Sequence, residues 1–194
     1  MKQLNPKYWQ NRYETNDAIW DVGKITTPLK EYIDQIEDKS IKILIPGCGN
    51  GYEFEYLINK GFENSFVVDF VQTPIDNLKK RMPNCNPKQL IVSDFFELEG
   101  SYDLIIEQTF FCALNPELRA KYVQKMLSLL SPKGKLIGLF FQFPLTEVGP
   151  PFGGSKEEYL NLFSTDFEIK TLETAYNSIK PREGNELFFI FTKK

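Results

Sequence analysis

Ile43-Leu44-Ile45-Pro46-Gly47-Cys48-Gly49-Asn50-Gly51 decides how this chain folds. An apolar, β-branched run over residues 41–45 stops at a proline and then at glycines in alternate positions. That pattern reads as a buried strand running into a tight turn. Phe54, Leu57 and Ile58 then share one helical face across residues 52–60, and Gly61 supplies a stop. Strand, glycine turn and helix in this order let a ligand approach bare backbone and meet the free N–H groups of a helix start. Dinucleotide-binding turns read Gly-x-Gly-x-x-Gly or Ala, whereas the sixth position here is Tyr52.

Two carboxylates strengthen the signal. Asp69 ends a second strand, residues 65–69, and stands 18 positions after Gly51, where an acid can accept hydrogen bonds from ribose hydroxyls. Asp94 follows a third strand, residues 89–92; it can accept from an exocyclic amine while neighbouring Phe95 stacks on adenine. Ribose and adenine recognition without a pyrophosphate motif points to S-adenosylmethionine (SAM) rather than NAD. Tyr52 and Pro46 likewise disfavour a nicotinamide oxidoreductase.

The pattern repeats outward. Strands are expected at residues 102–107, 136–141, 167–172 and 187–191, the fourth apolar with Glu107 at its end. Thr73-Pro74 starts one helix with proline at its first position, and Asn115-Pro116-Glu117 opens the longest, with Leu118, Tyr122, Met126 and Leu130 at every fourth residue. Ser155 to Glu158 forms a capping box before residues 159–163. The expected fold is Rossmann-like α/β: a seven-stranded, mainly parallel sheet with helices on both faces and an antiparallel pair at one edge. The 194 residues suit one domain, with residues 1–40 as an N-terminal helical extension or lid and 41–194 as the core. Residues 144–155, rich in Pro and Gly, form a long irregular stretch of the kind that serves as a lid or binding loop.

Composition excludes other classes. A net charge of −3, without a basic stripe, argues against nucleic-acid partners. The first ten residues are polar and no apolar stretch is long enough for a bilayer, so the chain is expected in the cytoplasm, away from membranes. Cys48, Cys85 and Cys112 have no metal-ligand spacing, and histidine is absent. No metal is expected, and the commonest general base is missing. Cys48 and Cys112 read as small packing residues.

Residues 43–51, Asp69, Asp94-Phe95-Phe96, the stretch from Glu107 through Gln108 and Phe110-Phe111-Cys112 to Leu114, and Gly149-Pro150-Pro151-Phe152 together resemble the thiopurine S-methyltransferase superfamily. The nearest likeness is to the plant thiol/halide methyltransferases. It runs from about Trp9 to the strand at Lys135, through the Gly149 loop, and more weakly to Pro181-Arg182 and Gly184. The resemblance implies a class I methyltransferase fold with a reversed last hairpin, and SAM converted to S-adenosylhomocysteine. Trp9, Tyr13 and Trp20 resemble an aromatic segment that closes over SAM; the family usually has Trp at Tyr13. The plant enzymes tend to have Tyr at Gln108. Cofactor contacts are expected from Trp9, Tyr13, Trp20, Gly47, Gly49, Asp69, Asp94, Phe95, Glu107 and Gln108, and an acceptor enclosure from Phe110, Phe111 and Phe152. The expected reaction is in-line attack on the SAM methyl by a thiol, hydrosulfide or halide, in a monomer or weak homodimer. O- or N-methylation of a small metabolite, or SAM binding without catalysis, are the alternatives.

Overall fold

In the computed structural model, which describes residues 4–194, β1 (Ile43–Pro46), β2 (Ser65–Asp69) and β3 (Leu90–Val92) pair in parallel with β2 in the middle. Residues 1–3 of the expected extension lie outside the described residues. Every β1 residue is buried, which explains an apolar run rather than alternation. Between the strands, α3 (Tyr52–Asn59) buries Phe54 and Leu57, and α4 (Gln72–Arg81) buries Ile75 and Leu78. Pro74 is the third residue of α4 rather than the first. It is tolerated there because first-turn N–H groups have no intrahelical acceptor. The extension carries α1 (Pro6–Glu14), capped by Asn5, whose side chain accepts from the Tyr8 N–H at 2.9 Å. It also carries α2 (Thr27–Asp34), held by buried Leu29 and Ile33. These elements form one compact unit, Met1–Leu98.

The second compact unit is Glu99–Lys194. Here β4 (Tyr102–Gln108) runs parallel to β5 (Leu130–Phe141), while β7 (Glu186–Lys193) is antiparallel to both β5 and β6 (Phe167–Thr174). The link from β6 to β7 holds only a short 3-10 turn, Lys180–Arg182, too little for the crossover that parallel strands need. The antiparallel hairpin expected at the edge is present, with the reversed strand β7 one place in and β6 outermost. Strand β5 starts at Leu130 rather than 136, because Lys133 and Gly134 form an irregularity inside it. Lys133 has φ +65°, and the pairing register shifts between Tyr102 and Leu104. The longest helix, α5 (Arg119–Leu129), follows a separate 3-10 turn, Pro116–Leu118, that Asn115 caps. Ser155 caps α6 (Lys156–Phe163) by accepting from the Glu158 N–H at 3.1 Å, which is one half of the expected capping box; the Glu158 carboxylate takes Arg119. The core of this unit is aromatic: Phe140 stacks on Phe189 with centroids 4.0 Å apart, and Phe111, Tyr159 and Phe163 close around Phe140.

The strand order is β3-β2-β1-β4-β5-β7-β6 in a seven-stranded mixed sheet. Among the described residues no helix is long and apolar enough to cross a membrane.

Candidate active site

Gly47, Gly49 and Gly51 adopt φ of +56°, +52° and +69°, a left-handed conformation costly for residues with a Cβ. Space imposes a second demand. A Cβ on Gly51 would lie 2.6 Å from Leu78 Cδ2, and one on Gly49 would lie 3.2 Å from the Tyr13 hydroxyl. Gly51 thus leaves room for Leu78 of α4 to pack against the turn. Tyr52, at the sixth position, donates its hydroxyl to Asp21 at 3.3 Å.

Asp69 is buried beside this turn. One carboxylate oxygen accepts from the Gly49 N–H at 3.1 Å and the other from the Val71 N–H at 2.9 Å. Burial pushes its pKa up to about 6, against the backbone N–H groups that favour its charge. A carboxylate has about four acceptor sites, so capacity remains for ribose hydroxyls. Asp94 is exposed and caps the 3-10 turn Phe95–Glu97 by accepting from the Phe96 N–H at 2.8 Å. Phe95 is buried and set edge-on to Phe96 at 5.3 Å, and Phe96 is the less buried ring.

The aromatic segment gathers on the same turn. Trp9 and Tyr13 share a face of α1 and both meet Trp20 edge-on, at 5.3 and 5.6 Å. Burial, and after it the charge of Asp69, push the Tyr13 hydroxyl far above its ordinary pKa. The first unit therefore brings Tyr13, Trp20, Gly49 and Asp69 into one cluster, with Trp9 behind Trp20.

The second unit holds the other expected residues. Glu107, expected among the cofactor contacts, is wholly buried. One of its oxygens accepts from the Phe110 and Phe111 N–H groups at 2.8 and 2.9 Å, and the other from the Tyr122 hydroxyl at 2.6 Å. Its carboxylate shapes the turn after β4, and burial raises its pKa to about 7. Gln108 is the last residue of β4. Thr109 then takes φ +57°, a strained conformation for a β-branched residue.

Phe111, expected to enclose the acceptor, is 1% exposed and packs on Tyr122 and Phe140. It is core, while Phe110 is half-buried. Phe152 is buried and its N–H donates to the Cys112 carbonyl at 2.7 Å. Arg119 fixes the end of that loop, donating to the Gly153 carbonyl at 2.7 Å with its guanidinium 4.7 Å from the Phe111 ring centroid. Burial pushes the thiols of Cys48 and Cys112 up, so neither is poised as a thiolate. A cavity of about 400 Å³ lies among Gln142, Phe143, Leu145, Gly154, Lys156 and Glu158. Among the described residues no group of three or more His, Cys, Asp or Glu could hold a metal ion. Sequence reasoning missed Tyr122 as the partner of Glu107, because its place in an every-fourth-residue stripe reads only as core.

The thiopurine S-methyltransferase (TPMT) family model matches residues 4–192. The chain is 30% identical over 184 residues to probable thiol methyltransferase 2 of Arabidopsis thaliana, covering 92% of this chain and 81% of the relative. Thiocyanate methyltransferase 1 of Brassica oleracea is 27% identical over 186 residues, with the same shares. Thiopurine S-methyltransferase of Vibrio cholerae is 28% identical over 176 residues, covering 82% of this chain and 81% of its own. Among solved structures, 1,6-didemethyltoxoflavin-N1-methyltransferase of Burkholderia thailandensis superposes with TM-score 0.77 at 16% identity, covering 98% of this chain and 88% of that one. Magnesium protoporphyrin IX methyltransferase of Synechocystis PCC 6803 gives TM-score 0.71 at 12% identity, covering 100% and 99%. The fold is therefore that of the class I methyltransferases, and the chain belongs to the thiopurine S-methyltransferase family of SAM-dependent methyltransferases.

Proposed function

We propose that this methyltransferase passes the SAM methyl group to a small soft nucleophile: a thiol, hydrosulfide or halide. The observation that carries this reading is the likeness to thiol and thiocyanate methyltransferases over 92% of the chain. The absence of histidine supports it. Residues 1–194 act as a single methyltransferase domain in this reading, with 1–40 as the lid and 41–194 as the Rossmann-like core.

SAM supplies a methyl group already activated on a sulfonium and leaves as S-adenosylhomocysteine. The bare backbone of Gly47 and Gly49 fits such a ligand, and Asp69 accepts from ribose hydroxyls with the sites that Gly49 and Val71 leave open. Asp94 and Phe95 are assigned to adenine, and Gln108 to a further cofactor contact. Trp9, Tyr13 and Trp20 cover the sulfonium, where aromatic faces contribute roughly 0.5–2 kcal/mol of cation–π attraction. Phe110 and Phe152 border the acceptor, with Tyr122 beside Phe110, Phe111 in the core and Glu107 holding the turn that carries Phe110 and Phe111.

An acceptor that arrives ionised needs no base. Burial in the second unit favours the protonated forms of Cys112, Tyr122 and Tyr159, which suits an acceptor of that kind. The protein's work is then orientation and exclusion of water. The reading requires no metal, nucleic acid or membrane, and places a monomer or weak homodimer in the cytoplasm.

The test is an acceptor series. Hydrosulfide, iodide and aromatic thiols are expected to be methylated faster than phenols and amines. A strong preference for phenols or amines over every thiol and halide overturns the assignment.

A further inference from the structure

Asp21 joins the N-terminal segment to the glycine turn. One of its carboxylate oxygens accepts from the Asn50 side-chain amide and from the Tyr52 hydroxyl, the latter at 3.3 Å. The other caps its own loop by accepting from the Gly23 N–H at 2.7 Å. The receiving side is rigidly held. Asn50 accepts at its amide oxygen from Asn77 of α4 at 3.1 Å, which orients its N–H₂ group toward Asp21. Arg81, also on α4, donates to the Asn50 carbonyl and to Glu55, and its guanidinium lies 4.8 Å from the Tyr52 ring centroid. One residue before Asp21, Trp20 lies over Gly49 beside Tyr13.

We propose that Asp21 is a positioning residue, a latch that through Asn50 and Tyr52 holds the aromatic segment on the glycine turn and thereby sets how long SAM stays bound. This gives a purpose to Tyr52, whose bulk sets the turn apart from dinucleotide-binding loops. The latch is a polar contact between neutral donors and one carboxylate. It fixes the register of Trp20 over Gly49.

The proposal rests on reading that turn as the SAM site, so the test separates the two. Trp9 and Trp20 are the chain's two tryptophans, so intrinsic emission reports directly on the segment without any ligand. In Asp21→Ala, tryptophan emission should shift to the red and become more open to acrylamide quenching in the SAM-free protein. SAM dissociation, followed by stopped flow, should accelerate about tenfold, the scale of losing hydrogen bonds to a charged group. Tyr52→Phe keeps the Gly23 cap and guards against general misfolding; it should accelerate release about threefold. Folded variants with wild-type quenching and wild-type SAM release overturn the latch. Increased quenching with unchanged release overturns its control of SAM residence. Failure of the wild-type protein to bind SAM at all overturns the site reading instead, while the quenching comparison still decides whether Asp21 holds the segment.

Discussion

Asp69 and Glu107 look alike in the sequence: each is an acid at the carboxyl end of a parallel strand. Both are buried, both accept from backbone N–H groups, and burial raises both, to about 6 and about 7. They differ in side-chain partner and exposure. Tyr122 gives its hydroxyl to Glu107 at 2.6 Å and leaves the group 0% exposed, whereas Asp69 keeps 8% exposure beside glycines. A strand-end acid is thus left open to a ligand or closed into a turn brace according to how its oxygens are already used. The surroundings repeat the contrast: bare backbone around one acid, packed phenylalanine rings around the other.

The largest effect expected is at the turn. Gly47→Val places a branched side chain at φ +56° and should abolish SAM binding in calorimetry; normal binding by the folded variant would remove the turn from the site. Next comes Asp69→Ala, which should weaken SAM about 10- to 100-fold, the scale of hydrogen bonds to a charged group. Glu107→Gln should change SAM affinity far less, since its oxygens serve the protein; equal losses in the two variants would erase the contrast between these acids. SAM affinity should also fall as pH drops through about 6, where Asp69 takes up a proton.

Glu107 sharpens the comparison through stability. The folded chain keeps its proton up to about pH 7, while an unfolded chain loses it near the ordinary 4.5. Its contribution is therefore most favourable below that lower value and declines as pH rises through the higher one. Glu107→Gln preserves the acceptor for the two turn N–H groups and should flatten the Tm–pH curve across that window. An unchanged slope would mean that the carboxylate titrates alike in both states. The smallest effect belongs to Cys112→Ser, which should keep most of the methyl-transfer rate; a large loss would give that thiol a chemical role.

The glycine turn was legible because its demands are local: a strand, then left-handed φ that only glycine takes easily. The place of Asp69 beside that turn was legible by spacing, and the alternation of strand and helix patterns carried the sheet. Other features depend on tertiary approach and leave no local trace. Phe110 and Phe111 are equivalent in sequence, yet packing puts Phe111 in the core. Tyr122 and Glu107 are 15 positions apart, and Asp21 and Tyr52 are 31 apart. The early start of β5 was hidden because Lys133-Gly134 reads as a turn, whereas the strand absorbs it as an irregularity.

In the proposed reaction the acceptor brings its own charge and the protein supplies no base. Measuring kcat/KM for iodide against pH, with SAM saturating, tests it most directly. The profile should be flat from about pH 7 to 9, because neither iodide nor the sulfonium titrates there, and a thiol acceptor should instead follow its own ionisation. An iodide rate that climbs with pH over the same range, or no transfer to iodide beside rapid methylation of phenols, would contradict it.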